Sequence, residues 1–355
     1  MNRHILLTIT LLLASSIAMA VELKLDNFKY SLGMSGDYVE SENVKARVLS
    51  LNVGAMIKDK ITPELSYHIF ITGNFENGSN KATGFTGEFE PNQAVNLREG
   101  GLIYRPWNFL RFEVGAINQN QYMSPLLVWN NAFAGASQKI SWGSFYLKAQ
   151  EAIPNNNTLS RRIGGINEGT PMFLIGTLGV KHITPGYSIK AEVSRFSFKD
   201  LSSQVARISQ DFGNSVTGTG ESARFLYSFA GTNVSSEIGW HIGEGWISTV
   251  AGQYLFNEKA ANGRNTGYFG EFGFGKKVLL VKAGAFKNES DTAPAFYNSR
   301  MMGHNNVEGS IFSVISQGKN YLVRASLVNG KMIERNVRQS DVQIVNFAIV
   351  RNYEL

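Results

Sequence analysis

Residues 49–57 read LSLNVGAMI, and apolar side chains fill every second position of this stretch. Leu49, Leu51 and Val53 alternate with smaller or more polar residues. Alternation with a period of two places one set of side chains on each face of a β-strand, whereas an amphipathic helix repeats every 3.6 residues. The stretch therefore predicts a strand that has one apolar face and one polar face.

The same alternation recurs along the chain, most clearly at residues 28–35, 65–72, 110–116 and 345–355. Between such stretches, tight connections rich in Gly, Pro, Asn and charged residues alternate with longer polar segments. The seven tight connections are at 58–60, 105–108, 142–144, 184–186, 243–245, 275–277 and 317–320, and the eight longer ones are near 37–44, 76–92, 118–131, 153–169, 199–222, 257–265, 287–308 and 330–340.

Seven turns and eight loops join sixteen strands, with both chain ends on the side of the short turns. A soluble sandwich gives no reason for every long loop to lie at one end. A barrel of the outer membrane does, because its periplasmic turns are short and its outer loops are long. Because every backbone polar group in lipid needs a partner, such strands must close on themselves. We therefore predict an all-β fold, a closed antiparallel transmembrane β-barrel of about sixteen strands.

One strand is ambiguous in the sequence. Residues 224–229 and 234–242 could form two strands around a turn at 231–233. We interpret residues 222–242 as one long strand that rises into its loop, because a second strand would break the even number.

Composition and the first twenty residues define the class of protein. The 355 residues include no Cys, are 43% hydrophobic and only 17% charged, which excludes a disordered chain, a disulfide scaffold and a zinc ribbon. A basic start, an apolar stretch at Ile5–Leu13 and the small residues Ala18 and Ala20 predict a secretory signal peptide at residues 1–20. Residues 21–355 then form one barrel domain. Beyond Leu13 no apolar run approaches the roughly 18–20 residues of a spanning helix.

Aromatic residues lie near the predicted turns, where the membrane–water interface of a barrel selects them. We predict an interface girdle there, which consists of Trp107, Trp142, Tyr187, Trp246, Tyr321 and Tyr353.

The chain resembles the porin-type barrels of bacterial outer membranes. The resemblance rests on the signal peptide, the alternating strands, the hairpin at 96–115 and the last strand at 347–355. Outer-membrane barrels usually end in an aromatic residue, typically Phe, and this chain departs from that pattern because it ends in Leu355, with Tyr353 two residues before it. Arg351, on the lipid-facing set, is a second departure and would snorkel to the periplasmic rim.

The resemblance implies a porin in the outer membrane of a Gram-negative bacterium, through which small hydrophilic solutes and ions diffuse passively. A barrel of about sixteen strands is wide enough for an aqueous channel. In porins the third outer loop often folds inward. Here that loop would place a polar constriction at Asn118, Gln119, Asn120, Gln121 and Tyr122, and an ordinary surface loop is the alternative.

Charged residues on the polar face of the strands are the candidates for the channel wall. They are Arg98, Arg111, Glu113, Lys148, Lys190, Lys282 and Arg324, together with Glu192 and Glu271. A net charge of +6 and a mostly basic wall predict a weak preference for anions. The alternatives are solvated wall charges without selectivity and loop charges that bind lipopolysaccharide.

The sequence contains few motifs that are typical of catalytic sites. The chain has neither a G-x-S-x-G elbow nor an H-E-x-x-H sequence, so we expect no enzyme, no metal and no cofactor. Asp211, Asp291 and His304 fall in predicted loops, which leaves an outer-membrane hydrolase as an alternative. A non-conducting structural or adhesive barrel is another, because the loops at 199–222 and 287–308 are long enough to cover the mouth.

A porin-type barrel in the outer membrane has a characteristic set of binding partners. We expect outer-membrane lipid, lipopolysaccharide, the barrel-assembly machinery and small hydrophilic solutes as partners, and no nucleic acid. The size of the barrel resembles that of porins that assemble as homotrimers.

Overall fold

A computed structural model describes residues 28–42, 44–82, 93–119, 124–129, 131–154, 169–276 and 278–354. Sixteen of its strands form one closed barrel, and every neighbouring pair that closes it is antiparallel. The predicted fold class and strand number are confirmed. The predicted signal peptide at residues 1–20 lies outside the described residues.

The barrel strands are β1 (Phe28–Ser41), β2 (Val44–Lys60), β3 (Leu65–Ala82), β4 (Gln93–Trp107), β5 (Leu110–Asn118), β6 (Ala132–Trp142), β7 (Phe145–Ile153), β8 (Met172–Ile183), β9 (Tyr187–Lys199), β12 (Phe229–Ile242), β13 (Trp246–Asn257), β14 (Thr266–Lys276), β15 (Leu279–Asn288), β16 (Val307–Gln317), β17 (Tyr321–Met332) and β18 (Val342–Glu354). Two short strands, β10 (Val216–Thr217) and β11 (Arg224–Phe225), form a separate hairpin outside the wall.

Closure depends on the first and last strands. β1 pairs with β18 over its length, from Lys29 opposite Glu354 to Ser41 opposite Val342. β9 pairs directly with β12, so the long segment between them leaves the wall. A closed sheet has no free edge, and its backbone donors and acceptors are paired inside the hydrocarbon.

The two faces of the wall differ as the alternation predicts. On β13, Val250 and Tyr254 are 42% and 47% exposed on the outer face. Ala251, Gln253 and Leu255 point to the interior and are at most 4% exposed. The outer face is thus apolar in the way that a lipid-facing surface requires.

Aromatic side chains form a girdle around the barrel at the short-turn end. Trp107 stacks on Phe109 with ring centroids 5.7 Å apart, and Tyr353 stacks on Tyr30 at 4.6 Å. The guanidinium of Arg351 lies 4.9 Å from the centre of the Tyr353 ring, so this cation stays in the interfacial layer. The other predicted girdle residues, Trp142, Tyr187, Trp246 and Tyr321, are also exposed and next to short turns.

All seven predicted tight turns have a short connection between barrel strands at or next to them. The predicted long loop at 37–44 is wrong, because β1 continues to Ser41 and β2 begins at Val44. The polar residues that suggested a loop are strand residues. Asp37, for example, faces the interior and accepts hydrogen bonds from Arg300 at 3.0 Å and Asn346 at 2.7 Å.

The interpretation of residues 222–242 as one barrel strand is confirmed, although that strand begins only at Phe229. Arg224 and Phe225 belong to the small hairpin instead. The segment before it contains the helix α1 (Ser203–Asp211), whose N-terminus is capped by the Ser202 hydroxyl. Within the described ranges, no helix combines the length and the apolar character needed to cross a bilayer.

A charge placed on the outer face tests the orientation of the wall. We expect Val250→Arg to lower the free energy of unfolding in lipid vesicles by about 2–4 kcal/mol, because it exposes a guanidinium to hydrocarbon. The neighbouring Thr249→Arg points into the lumen and should change stability by less than about 1 kcal/mol. Equal losses in urea titrations of the two variants would contradict the assigned faces.

Candidate functional site in the barrel lumen

The inner wall near the short turns is polar and carries several of the predicted pore residues. Arg111 donates to Glu113 at 2.8 Å. Across neighbouring strands, Lys190 pairs with Glu237 at 2.5 Å, and Lys282 with Glu271 at 2.7 Å. Three predicted wall cations are therefore neutralised by an adjacent carboxylate.

A second basic cluster lies on β6 to β9. Lys139 stands opposite Lys148 in the strand register, and its ammonium lies 3.6 Å from the centre of the Tyr146 ring. The Tyr146 hydroxyl donates to Glu192, which is only 6% exposed. Here cations outnumber carboxylates, so this part of the wall is positively charged.

The remaining two predicted wall residues have different surroundings. Arg324 donates from Nε to the Ser326 hydroxyl at 3.0 Å. Arg98 is the extra residue of a β-bulge, because Phe70 pairs with Glu99 and Ile71 with Leu97.

Loop segments fill much of the lumen near the long-loop end. Among the described loop residues, three segments enter it: residues 124–129, the helix α1 and residues 289–306. Leu126, Val205 and Tyr297, one from each segment, are at most 1% exposed and belong to one apolar cluster with inward-facing wall residues. The outer half of the barrel therefore contains a packed core.

Tyr297 is the centre of this core. Its ring packs edge-on against Phe133 at 5.2 Å and parallel to Phe198 at 5.8 Å between centroids. Its hydroxyl is buried and has no hydrogen-bond partner among the residues that the structure describes. Burial raises the pKa of Tyr297 well above the ordinary tyrosine value, so the phenol stays neutral.

Asparagine side chains hold the segment 289–306 in place. Asn214, just after α1, donates to the carbonyl oxygens of Ser290 at 2.8 Å and Ala293 at 3.1 Å. Asn305 donates to the same two carbonyls, both at 2.8 Å. Asp291 accepts from the Ser215 hydroxyl at 2.6 Å. These buried bonds satisfy a backbone that has no sheet partner.

Ion pairs connect the loops to the barrel wall and to one another. Arg300 contacts Asp37 of β1 at 3.0 Å, and Arg338 contacts Asp211 at the end of α1 at 2.6 Å. His304, which the sequence left as a candidate for chemistry, stacks on Phe212 at 4.2 Å, and its Nδ1 lies 2.9 Å from Asn298.

One side of the lumen is not covered by this core. Among the described residues, the apolar cluster has members on every barrel strand except β3, β4 and β5. The inward-facing Thr72, Asn74 and Glu76 of β3 are only partly buried, and so is Asn52 of the neighbouring β2. The described loop segments therefore leave the wall of β3 to β5 uncovered, which is an off-centre part of the lumen.

The predicted constriction loop is only partly described. Asn118 donates to Glu99 at 2.7 Å, and Gln119 accepts from Gln150 at 2.7 Å, so both side chains bind to the wall. Asn120, Gln121 and Tyr122 lie outside the described residues. The apolar residues that follow, Leu126 among them, are the ones that pack into the lumen.

The sequence analysis did not predict the packed core that Leu126, Val205 and Tyr297 form in the lumen, which we call the loop core. The signal was present, because residues 293–297 read APAFY inside a segment assigned to an exposed loop. An outer loop in water would rarely place Phe296 next to Tyr297.

Comparisons with known proteins support the fold. The solved structure of OprB of Pseudomonas putida is similar with a TM-score of 0.60 and 11% identity, over 92% of this chain and 93% of that chain. OmpT lacking loop L8, an outer membrane protein of Vibrio cholerae, is similar with a TM-score of 0.53 and 11% identity, over 92% and 98%. A triple mutant of Rhodopseudomonas blastica porin has a TM-score of 0.48 and 9% identity, over 92% and 99%. No protein-family model and no curated protein matches the chain.

The predicted resemblance to outer-membrane barrels is thus confirmed at the level of the fold. Together with the apolar outer face, this fold places the protein in the outer membrane.

Two substitutions at Tyr297 test the loop core. We expect Tyr297→Phe to leave stability unchanged or raise it by about 1 kcal/mol, because an unpaired buried hydroxyl is removed. Tyr297→Ala should lower it by about 3–5 kcal/mol, because it leaves a void among aromatic rings. Thermal unfolding in detergent and limited proteolysis of residues 289–306 provide the measurements. Equal behaviour of the two variants would show that the ring is not packed.

Proposed function

We propose that this protein is a porin-type channel through which small hydrophilic solutes and ions diffuse passively. The observation that carries the proposal is the polar wall of β3 to β5, which the loop core leaves uncovered. A closed barrel of this size has room for water beside a folded loop. From the outer end, the route would run along Glu76, Asn74 and Thr72 of β3 and then past Glu99 toward the periplasm.

Selectivity is the finer part of the proposal. The weak anion preference predicted from the sequence finds support in the basic cluster around Lys139 and Lys148. The ion pairs of Arg111, Lys190 and Lys282 oppose it, because paired cations attract mobile anions less. We propose a weak preference only, and no catalytic activity.

A second candidate function is a closed structural or adhesive barrel. The specific observation in its favour is the packed core of Leu126, Val205 and Tyr297 in the outer half of the lumen. The two functions differ in one measurable property, the conductance of the folded protein. A homotrimer and contacts with lipopolysaccharide or the assembly machinery stay predictions.

Conductance tests the route. Purified protein in planar bilayers should give stable single-channel steps, and Thr72→Trp should reduce their size by roughly half, because the ring occupies the off-centre space. The matched control is Ile71→Trp, whose side chain points to lipid and should leave the steps unchanged. Folded barrels without conductance would favour the closed structural barrel, and equal steps in both variants would place the route elsewhere.

Reversal potentials test the charge preference. In a gradient of potassium chloride we expect a small potential of the sign for anions, and Lys148→Glu should shift it toward cations, because the substitution reverses a charge in the basic cluster. The control Val180→Ala, on the lipid-facing side, should leave the reversal potential unchanged. A clear cation preference of the unmodified protein would reject the predicted selectivity.

A further inference from the structure

Three lysine side chains on the inner wall have no carboxylate partner. Lys139 of β6 stands opposite Lys148 of β7, and Lys181 lies on the inner face of β8. None of the three ammonium groups makes a hydrogen bond or ion pair with a residue that the structure describes. We call Lys139, Lys148 and Lys181 the three-lysine cluster.

The ring of Tyr146 forms the floor of the cluster. Tyr146 of β7 stands opposite Gly179 of β8, and Gly179 stands opposite Glu192 of β9. The ring crosses Gly179, where a methyl group would overlap it, and its hydroxyl donates to Glu192. Because the Lys139 ammonium lies 3.6 Å from the ring centre, the ring fixes the position of this charge.

The other two lysines flank the Tyr146 ring. Lys148 is two residues from Tyr146 on β7, and Lys181 is two residues from Gly179 on β8, which is about 7 Å along each strand. Residues two apart share a face of the sheet, so these side chains project into the lumen. Lys181 is exposed, and Lys139 and Lys148 are partly buried. Solutes in the lumen therefore reach the cluster.

The cluster carries more positive charge than the described wall around it balances. Glu192 is 6% exposed and already accepts a hydrogen bond. The carboxylates of Glu113 and Glu237 pair with Arg111 and Lys190 instead. Three ammonium groups against one carboxylate leave two positive charges unbalanced among the described residues. Like charges repel, and an anion bound between them relieves the repulsion.

We propose that the three-lysine cluster binds a small multivalent oxyanion from the lumen, of the class of inorganic phosphate and phosphate monoesters. Two unbalanced positive charges match a phosphate group, which carries about two negative charges above pH 7. Ammonium groups bind phosphate oxygens as point charges, whereas a planar carboxylate is better matched by the fork of an arginine. The arginine beside the cluster, Arg111, is engaged by Glu113. The site deepens the proposed function, on which it rests only for the route by which the ligand arrives.

Equilibrium dialysis of radiolabelled inorganic phosphate against the folded protein in detergent, at about pH 8, tests the site. We expect saturable binding, and Lys148→Gln and Lys181→Gln should each weaken it by about tenfold, because each removes a donor to a charged ligand. The matched control is Lys58→Gln, which removes a lumen-facing lysine of β2, five strands from β7, and should leave phosphate binding unchanged. Equal losses in all three variants, or no saturable binding, would overturn the proposal.

Two glycine variants separate a site of fixed geometry from a diffuse positive field. Gly179→Ala keeps every charge but displaces the Tyr146 ring from its contact with Lys139, so phosphate binding should weaken by about fivefold. The control Gly176→Ala places a methyl group in open space on the same strand and should bind phosphate as the unmodified protein does. Heat-modifiable migration in gels shows that each variant is folded, and the lysine variants decide if Gly179→Ala is not. Unchanged binding in folded Gly179→Ala would contradict the assigned geometry.

Competing anions test the class of ligand. Sulfate, a dianion, should displace phosphate, whereas acetate at equal concentration should not, and equal displacement by the two would overturn the assignment. Binding in detergent does not require conduction, so the two proposals fail separately. A barrel that binds phosphate without conducting in planar bilayers would contradict the proposed channel and leave the site in place. A barrel that conducts without binding phosphate would overturn the site alone.

Discussion

The backbone of a strand in lipid must find all its hydrogen-bond partners within the protein, and the rest of this structure depends on that constraint. It requires closure, which the pairing of β1 with β18 provides. It also fixes the two faces of the wall, because a strand that lies between hydrocarbon and the lumen alternates between them. The alternation of apolar and polar residues at 49–57 is the sequence form of this requirement.

Closure of so many strands creates an interior that wall side chains cannot fill. In the outer half of this barrel, loop segments take up the space. Leu126, Val205 and Tyr297 bury apolar surface there, and Asn214 and Asn305 pair the backbone that enters with them. The channel that we propose would therefore follow the wall of β3 to β5, where the described loop core has no members.

The sequence predicts the wall well and the lumen poorly, for a physical reason. Strand period, turn composition and girdle residues such as Trp107 are local signals, each set by its own stretch of chain. The position of Tyr297 against Phe133 joins residues more than a hundred apart, and no local pattern contains that contact. The wrong prediction of a loop at 37–44 has the same origin. The polar Asp37 is a strand residue whose partner, Arg300, comes from a distant loop, and no local pattern shows that contact.

Spin-label accessibility along β3 is the measurement that tests this account most directly. Single Cys substitutions from Ser66 to Glu76, each carrying a nitroxide, would be compared in lipid vesicles for collisions with oxygen, which enriches in lipid, and with a water-soluble nickel complex. The account predicts alternation: oxygen dominates at 67, 69, 71, 73 and 75, and nickel dominates at 66, 68, 70, 72, 74 and 76. Accessibility without a period of two, or nickel excluded from both faces of β3, would contradict a wall that separates lipid from a wet lumen on this side.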